Sequence, residues 1–572
     1  MTGWRLPQRV AYVVNHSYPY SSDGYAVRTH EVARALSGLG HDMVVLNRPG
    51  RPWDIEGFRA DAPVSTEQII DGVRYLFLPN PPVGTEMNRR GRLRQAEAVL
   101  TEAFEILRPG AVMAVSNWEN AEPAQYAARR WGCAFFYEQR GFWEMARAAG
   151  DATYAASPEY QADQQNDVRV AQAAQVVFTL NAGMRAELIR RGVAGDKIQL
   201  VANGISPPVP VAATGGITRA AIGCQAKHLL GYVGSLNAYE GGEDLLQLVA
   251  QLRASGVDVD LLMLGSGAPK GLIGSQYDTP VATDLRAQAE ALKIAGHVHF
   301  VPQMAQSETG AYYSLLDAVI MPRRRTPVTE LVAPLKPYAA AAYGVPVFMS
   351  DLPPLAEVAQ DIEASLFPEG DIDALAGMVR HMLEQGDHPA AGAAPKPGLL
   401  WSRRVQPMSR HLQAAAQAAP RLEAQLGQAG AAPAEHARFD THILPRVALS
   451  GGTVNEPVAV IGPCAYLPGQ THITRLSRVN ILSELAQGPV GRFIIDWAGL
   501  QDAPGDWDGL WSVADMRLNR LVLDACRIAL DRGWRMQVVG PVLRSRAPLY
   551  RTVSGAFEEI SPVDNDSPEG AS

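Results

Sequence analysis

At 572 residues the chain is too long for a single domain of about 150 residues. Apolar residues make up 47% and charged residues 19%, the balance of a soluble chain with material for several cores. A net charge of -8 argues against nucleic-acid binding, which needs a basic surface. Four scattered cysteines without CxxC spacing argue against a disulfide framework or a zinc site.

The N-terminal stretch MTGWRLPQRVAYVV has no long apolar region or cleavage site, and no run reaches about 18 apolar residues. The expectation is a cytoplasmic protein. VAYVV (10–14) is a short apolar run followed by a polar loop and the helical pattern HEVARALSGLGH (30–41). MVVLN (43–47), AVMAVS (111–116), CAFFYE (133–138) and QVVFTL (175–180) continue the series. Such βα alternation marks a parallel sheet covered by helices on both faces.

QLVANGI (199–205) and the proline-rich SPPVPVAATGG (206–216) read as a hinge. The alternation then restarts. HLLGYVGS (228–235), VDLLMLGSG (259–267), HVHFVP (297–302), AVIMP (318–322) and VPVFMS (345–350) are predicted strands, with a helix over 242–256. The reading is two Rossmann-like α/β halves, 1–205 and 206–415, with ligands at the carboxyl ends of their strands, in the cleft between them. An alanine-, glutamine- and proline-rich linker follows over 416–440. A third, smaller α/β domain over 441–562 contains EPVAVIG, RFIIDW, MQVVGPV and a strong helical pattern over 514–534. Residues 563–572 read as a disordered tail.

The residues with chemistry sit where these strands end. Gly24 opens the first helix, where backbone N–H groups favour an anion; an ordinary βα turn is the plainer reading. Gly234 and Ser235 repeat the arrangement in the second half, and Gly265 ends a third strand. Arg323, Arg324 and Arg325 emerge from the end of AVIMP, and guanidinium forks suit phosphate oxygens. Glu330 follows, and Leu335 and Lys336 open the next helix. Together these read as a diphosphate site, with Glu330 left for sugar hydroxyls; a solvated basic loop is the competing reading. In the first half Asn117, Trp118, Glu119, Asn120, Glu138, Arg140, Trp143 and Glu144 follow strands. Their aromatics and carboxylates suit a sugar acceptor, against packing at the hinge. Arg89, Arg90, Arg92 and Arg94 open an amphipathic helix. They read either as a solvated helix end or as a peripheral contact with anionic lipid at the inner membrane face.

In combination, SYPYSSDGYAVRTHEVARALSGLGH, VVFTLNAGMRAELIRRGV, VANGI, YVGSLNAYEG and PRRRTPVTELVAPLKP resemble the family 4 retaining glycosyltransferases of the GT-B fold, over residues 8–415. The resemblance implies a nucleotide-sugar donor in the second half and a glycan, lipid-linked or protein acceptor in the first. It implies retention of anomeric configuration, no cofactor and no metal, with basic residues neutralising the leaving diphosphate. Glu330 matches the first acid of the family's pair. The sequence departs from the pattern where Ser235 and Glu240 replace an arginine and a lysine, and where Ala339 replaces the second glutamate. Three readings stay open: an active transferase with relocated phosphate contacts, a catalytically degenerate scaffold or partner subunit in glycan assembly, and a sugar epimerase. The third domain carries no motif that the resemblance explains.

Overall fold

A computed structural model describes residues 5–58, 64–78, 88–207, 217–265, 269–273, 280–385, 396–418, 456–463, 473–512, 515–542 and 547–561. The predicted linker, beyond residue 418, and the predicted tail lie outside the described residues. Among the described residues no helix is long and apolar enough to cross a membrane.

The first sheet contains β1 (Leu6–Val14), β2 (Asp42–Asn47), β3 (Glu67–Ile70), β4 (Val73–Leu76), β5 (Pro109–Val115), β6 (Ala134–Gln139), β7 (Val176–Thr179) and β8 (Ile198–Leu200). Their order is β3-β4-β2-β1-β5-β6-β7-β8, parallel except for the β3–β4 hairpin. Helices cover both faces, so β5 is buried along its whole length. The two-residue period of a strand splits β1 between two cores: Ala11 and Val13 face one, Val10, Tyr12 and Val14 the other. Three helices matter below: α1 (Gly24–Ser37), α2 (Arg89–Leu107) and α3 (Trp118–Trp131).

The second sheet runs β11-β10-β9-β12-β13-β14, all parallel, from β9 (His228–Val233), β10 (Val259–Leu264), β11 (Val298–Val301), β12 (Ala318–Met321), β13 (Val347–Ser350) and β14 (Ser365–Phe367). This is the 3-2-1-4-5-6 order of a dinucleotide-type α/β fold, whose switch point lies between β9 and β12. The expected boundary at 415 differs in one respect. Trp401, Val405, Met408 and Leu412 pack into the core of the first domain, and His41 meets Ser409 at 2.9 Å. The chain thus recrosses to the first domain before it leaves the second.

The third sheet, β16-β15-β17-β18-β19, is also parallel and comprises β15 (Val458–Ile461), β16 (Ile473–Arg475), β17 (Arg492–Ile495), β18 (Arg535–Val539) and β19 (Glu558–Ile560). Its helix Met516–Arg532 carries leucine, valine and alanine on one face, and the domain shares one continuous apolar core with the first. Arg520 adds an ion pair to Glu105 of α2 at 2.9 Å.

The first two domains meet through backbone on both flanks of their interface. On one flank Ser22 N donates to Gly271 O at 3.0 Å and Ile273 N to Tyr20 O at 3.0 Å. On the other, Asn181 Nδ2 donates to Leu331 O at 2.8 Å, and Asn203 of the hinge donates to Ala333 O and Pro334 O at 3.3 and 3.2 Å.

Candidate functional site

The ends of β9, β10 and β12 converge at the switch point. Gly234 follows β9 with φ +146°, and a Cβ there would stand 2.1 Å from Lys336 Cε. Only glycine lets the Lys336 side chain lie across the strand end. Gly241 plays the same part for the backbone: its φ is +75° and a Cβ would meet Pro322 O at 1.9 Å. Both glycines bring the loop 234–241 against the residues that follow β12.

Glu240 sits between them and is 4% exposed. Arg323 Nη2 donates to its Oε1 at 3.1 Å, and Lys336 Nζ lies 2.9 Å from its Oε2. Burial pushes the Glu240 carboxyl up, but Arg323 and Lys336 outweigh it and hold the pKa at about 2. Lys336 also donates to Tyr232 Oη at 2.7 Å, and that hydroxyl donates to Ser235 O at 2.8 Å. One carboxylate and two cations leave one net positive charge. Arg323 and Lys336 share it; the Lys336 side chain is the more exposed, 19% against 7%, while burial lowers its pKa against the pull of Glu240.

The other arginines are also engaged. Arg323 Nη1 donates to Val332 O at 3.0 Å. Arg324 clamps the helix Gly242–Ala254 at its start, donating to Glu243 at 2.7 Å and Asp244 at 2.9 Å. Arg325 pairs with Glu330 at 2.6 Å, both half-exposed. The sequence suggests three guanidinium forks open to phosphate; the structure gives each a carboxylate partner, Arg323 from the loop before the facing helix, Arg324 from that helix's acidic first turn and Arg325 from its own loop. Leu335 is the residue before the helix Lys336–Ala342 and packs toward the first domain's core. Ala339 lies on that helix, half-buried.

The first-domain residues divide differently. Glu138, fully buried, accepts from Arg28 Nε at 2.9 Å, Arg140 Nη2 at 2.8 Å and Tyr12 Oη at 2.5 Å. Burial alone would raise its pKa; Arg140 and Arg28 bring it to about 2. Arg28 continues to Asn203 Oδ1 and Val201 O, so the network ties β6 to the hinge. Glu144 is buried against Arg191 at 2.7 Å, and Asn120 donates to Val13 O and Val115 O. Trp118 is 5% exposed, with Arg89 stacked 4.5 Å above its ring and its indole N–H on Asp163. These four, and Arg140 with them, therefore build the scaffold, contrary to the expected acceptor role: a strand end supplies inward-facing as well as cleft-facing side chains. Asn117 begins α3, and Glu119 holds Arg89 at 2.5 Å. Arg90, Arg92 and Arg94 remain exposed on α2.

Gly24 opens α1, but Asp23 supplies the anion there, its Oδ1 accepting from Ala26 N at 2.9 Å. Asp23 also holds buried His16 at 2.9 Å. Tyr25 stacks on His16 with centroids 4.5 Å apart, Trp143 meets Tyr25 edge-on at 6.0 Å, and Lys270 Nζ lies 4.5 Å over Trp143. Burial and neighbouring Arg51 lower the Lys270 pKa to about 8. His16, Asp23, Tyr25 and Lys270 were not singled out in the sequence. Their only signal is position: two loops, each after a strand, that meet across the interface.

Two family models match the chain, "Glycosyl transferase 4-like domain" over residues 23–204 and "Glycosyl transferases group 1" over 222–392. A glycogen synthase of Mycobacterium tuberculosis is 26% identical over 408 residues, covering 68% of this chain and 86% of that protein. Among solved structures, sucrose-phosphate synthase from Thermosynechococcus elongatus superposes with a TM-score of 0.51 at 18% identity, over 74% of this chain and 97% of that one. Anabaena HepE, solved in complex with UDP-glucose, reaches 0.47 at 14% identity, over 73% and 99%. Neither family match includes the third sheet.

Proposed function

Since the chain belongs to the family 4-like glycosyltransferases of the GT-B fold, we propose that it transfers a sugar from a nucleotide-sugar donor to a glycan, lipid-linked or protein acceptor, with retention of configuration and without a metal. The observation that carries this reading is the Lys336 side chain lying over Gly234, at the switch point where β9 and β12 diverge. Its ammonium is the more exposed of the two cations that outnumber Glu240. A diphosphate placed over Gly234 and Ser235 would meet that ammonium, and the interaction strengthens as the sugar bond breaks and charge builds on the leaving oxygen. Glu240 and Arg323 fix where the ammonium points. Glu330, held by Arg325, is left with a free oxygen for a sugar hydroxyl. No side-chain nucleophile is required: positioning and electrostatics carry the step.

The acceptor would enter from the first domain beside Glu119, Tyr25 and Trp143, with Lys270 closing the cleft from the second domain. The exposed Arg90, Arg92 and Arg94 would suit an acceptor carried on anionic lipid. Calorimetry against UDP, GDP, dTDP and ADP tests the donor site. One of these should release heat with wild-type protein and far less with Lys336→Met. Silence with all four would remove the reading.

A further inference from the structure

At the opposite end of the second sheet from the switch point, three segments bring together a thiol, a carboxylate and imidazole rings. Asp260 is the second residue of β10 and His299 the second of β11; the strands are parallel neighbours, so their amino ends lie side by side. Cys224 arrives from the turn before β9, where Gly223 at φ +82° sets the chain against the His299 ring. One ligand atom from each of Cys224, Asp260 and His299 falls within 4.8 Å of the other two. Cys224 is 4% and Asp260 2% exposed. His299 Nε2 stands 2.8 Å from Asp260 Oδ2, and the more exposed His297 places Nδ1 2.9 Å from Oδ1.

We propose that Cys224, Asp260 and His299 form a binding site for a divalent metal of zinc type, with His297 or water completing the coordination. Thiolate, imidazole and carboxylate are the donor set that Zn²⁺ takes, at about 2.0–2.3 Å from the metal. In a tetrahedron such bonds put donor atoms about 3.3–3.8 Å apart. From within 4.8 Å of one another the three atoms can reach that spacing, with the His299–Asp260 contact opening by about 0.5 Å, which rotamer adjustments supply. The thiol meets Ala226 O at 3.9 Å and has the Asp260 carboxylate as its charged neighbour. The site is a staple: it pins the chain that has just crossed from the hinge to the edge of the donor-domain sheet. No CxxC or HxxxH spacing announces it, because its ligands come from three separate segments.

The competing arrangement is a hydrogen-bonded cluster in which the rings of His297 and His299, with Arg253 at 3.6 Å, surround Asp260. The full-length protein, stripped with chelator and titrated with cobalt(II) alone, separates the two. The site predicts one cobalt per chain, a thiolate-to-metal charge-transfer band in the near ultraviolet, and displacement of the band by zinc. The band should vanish in Cys224→Ser and in His299→Gln, and persist in Cys464→Ser and Cys526→Ser. Zinc should raise the melting temperature of wild type and leave that of Cys224→Ser unchanged, with circular dichroism confirming that each variant folds. Absence of stoichiometric cobalt binding, or a band surviving Cys224→Ser, would overturn the assignment and leave the hydrogen-bonded cluster.

Discussion

Glu138 and Glu240 are the same arrangement built twice. Each is a buried carboxylate at the carboxyl side of a parallel sheet, held by two cations and a tyrosine nearby, with its pKa brought to about 2 against the push of burial. They differ in where the second cation goes. Arg28 and Arg140 are both inside the first domain, and further donors of theirs go to Asn203, Val201 O, Tyr25 O and Thr29. Lys336 instead lies along the strand end, bound on one side and open on the other. A buried ion pair is weak evidence of function; one whose cation keeps an open side at a switch point is better evidence.

The largest expected effect breaks the first network. Glu138→Ala leaves Arg28 and Arg140 buried without their counter-ion, which costs about 3–5 kcal/mol. Glu240→Ala should cost less, about 1–3 kcal/mol, because of its two cations only Arg323 is left deeply buried, and Arg323 keeps Val332 O. Urea unfolding of the full chain, followed by tryptophan fluorescence, compares the two; equal losses would dissolve the distinction. The pH dependence has a fixed sign. The folded pKa of Glu138 lies below its unfolded value of about 4.3, so its contribution is complete above that value and is lost as pH falls towards about 2. Glu138→Gln should flatten that part of the acid limb.

Lys336→Met is the counterpart for the second network. Losing one charge-assisted hydrogen bond to a phosphate costs roughly 1.5–3 kcal/mol, about 10- to 150-fold in nucleotide affinity. Its melting temperature should change little, since Glu240 keeps Arg323. A variant that melts early yet binds normally would place Lys336 with the scaffold.

Asn203 joins the two networks, accepting from Arg28 and donating to the loop before Lys336. Asn203→Ala should weaken domain closure by about 0.5–1.5 kcal/mol, raising KM several-fold with kcat nearly kept. Steady-state kinetics with the donor identified by calorimetry would show it; an unchanged KM would mean that the hinge contact does not govern closure.

Much of this was legible in the sequence, and the failures share a cause. Apolar runs such as VAYVV and AVIMP mark central strands because both their faces are covered. The hairpin strand β3 and the three-residue edges β14, β16 and β19 bury too few residues to leave such a run, and in β4, buried throughout, Arg74 interrupts it to pair with Glu67 of β3. Strand ends place Gly234 after β9 and Arg323 after β12, with Lys336 folded back over Gly234. They did not say which way a side chain turns, so Trp118, Asn120 and Glu144 read as cleft residues while they pack inward. Partnership across distance was invisible: Arg323 and Glu240 are 83 residues apart, and nothing local in PRRRTP indicates that its charges are already balanced. The same blindness hid the His16–Asp23–Tyr25 group, assembled against Lys270 only when two domains meet.

Lys270 gives the smallest and most discriminating prediction. Its ammonium, over Trp143 and beside Asp23, belongs to neither carboxylate network, yet it faces the same cleft. Its folded pKa, about 8, lies below the unfolded value of about 10.4, so the folded state binds fewer protons between these values. Stability attributable to this residue therefore rises with pH across that window. If its charge attracts an anionic substrate, kcat/KM should do the opposite and fall two- to five-fold as pH rises through about 8, as expected for one partly screened charge worth about 0.4–1 kcal/mol. Lys270→Met should start lower and stay flat over the same range. Activity and melting temperature moving in opposite directions in wild type, but not in the variant, would separate loss of one cleft charge from general alkaline unfolding. A parallel decline in both would assign Lys270 to the fold alone.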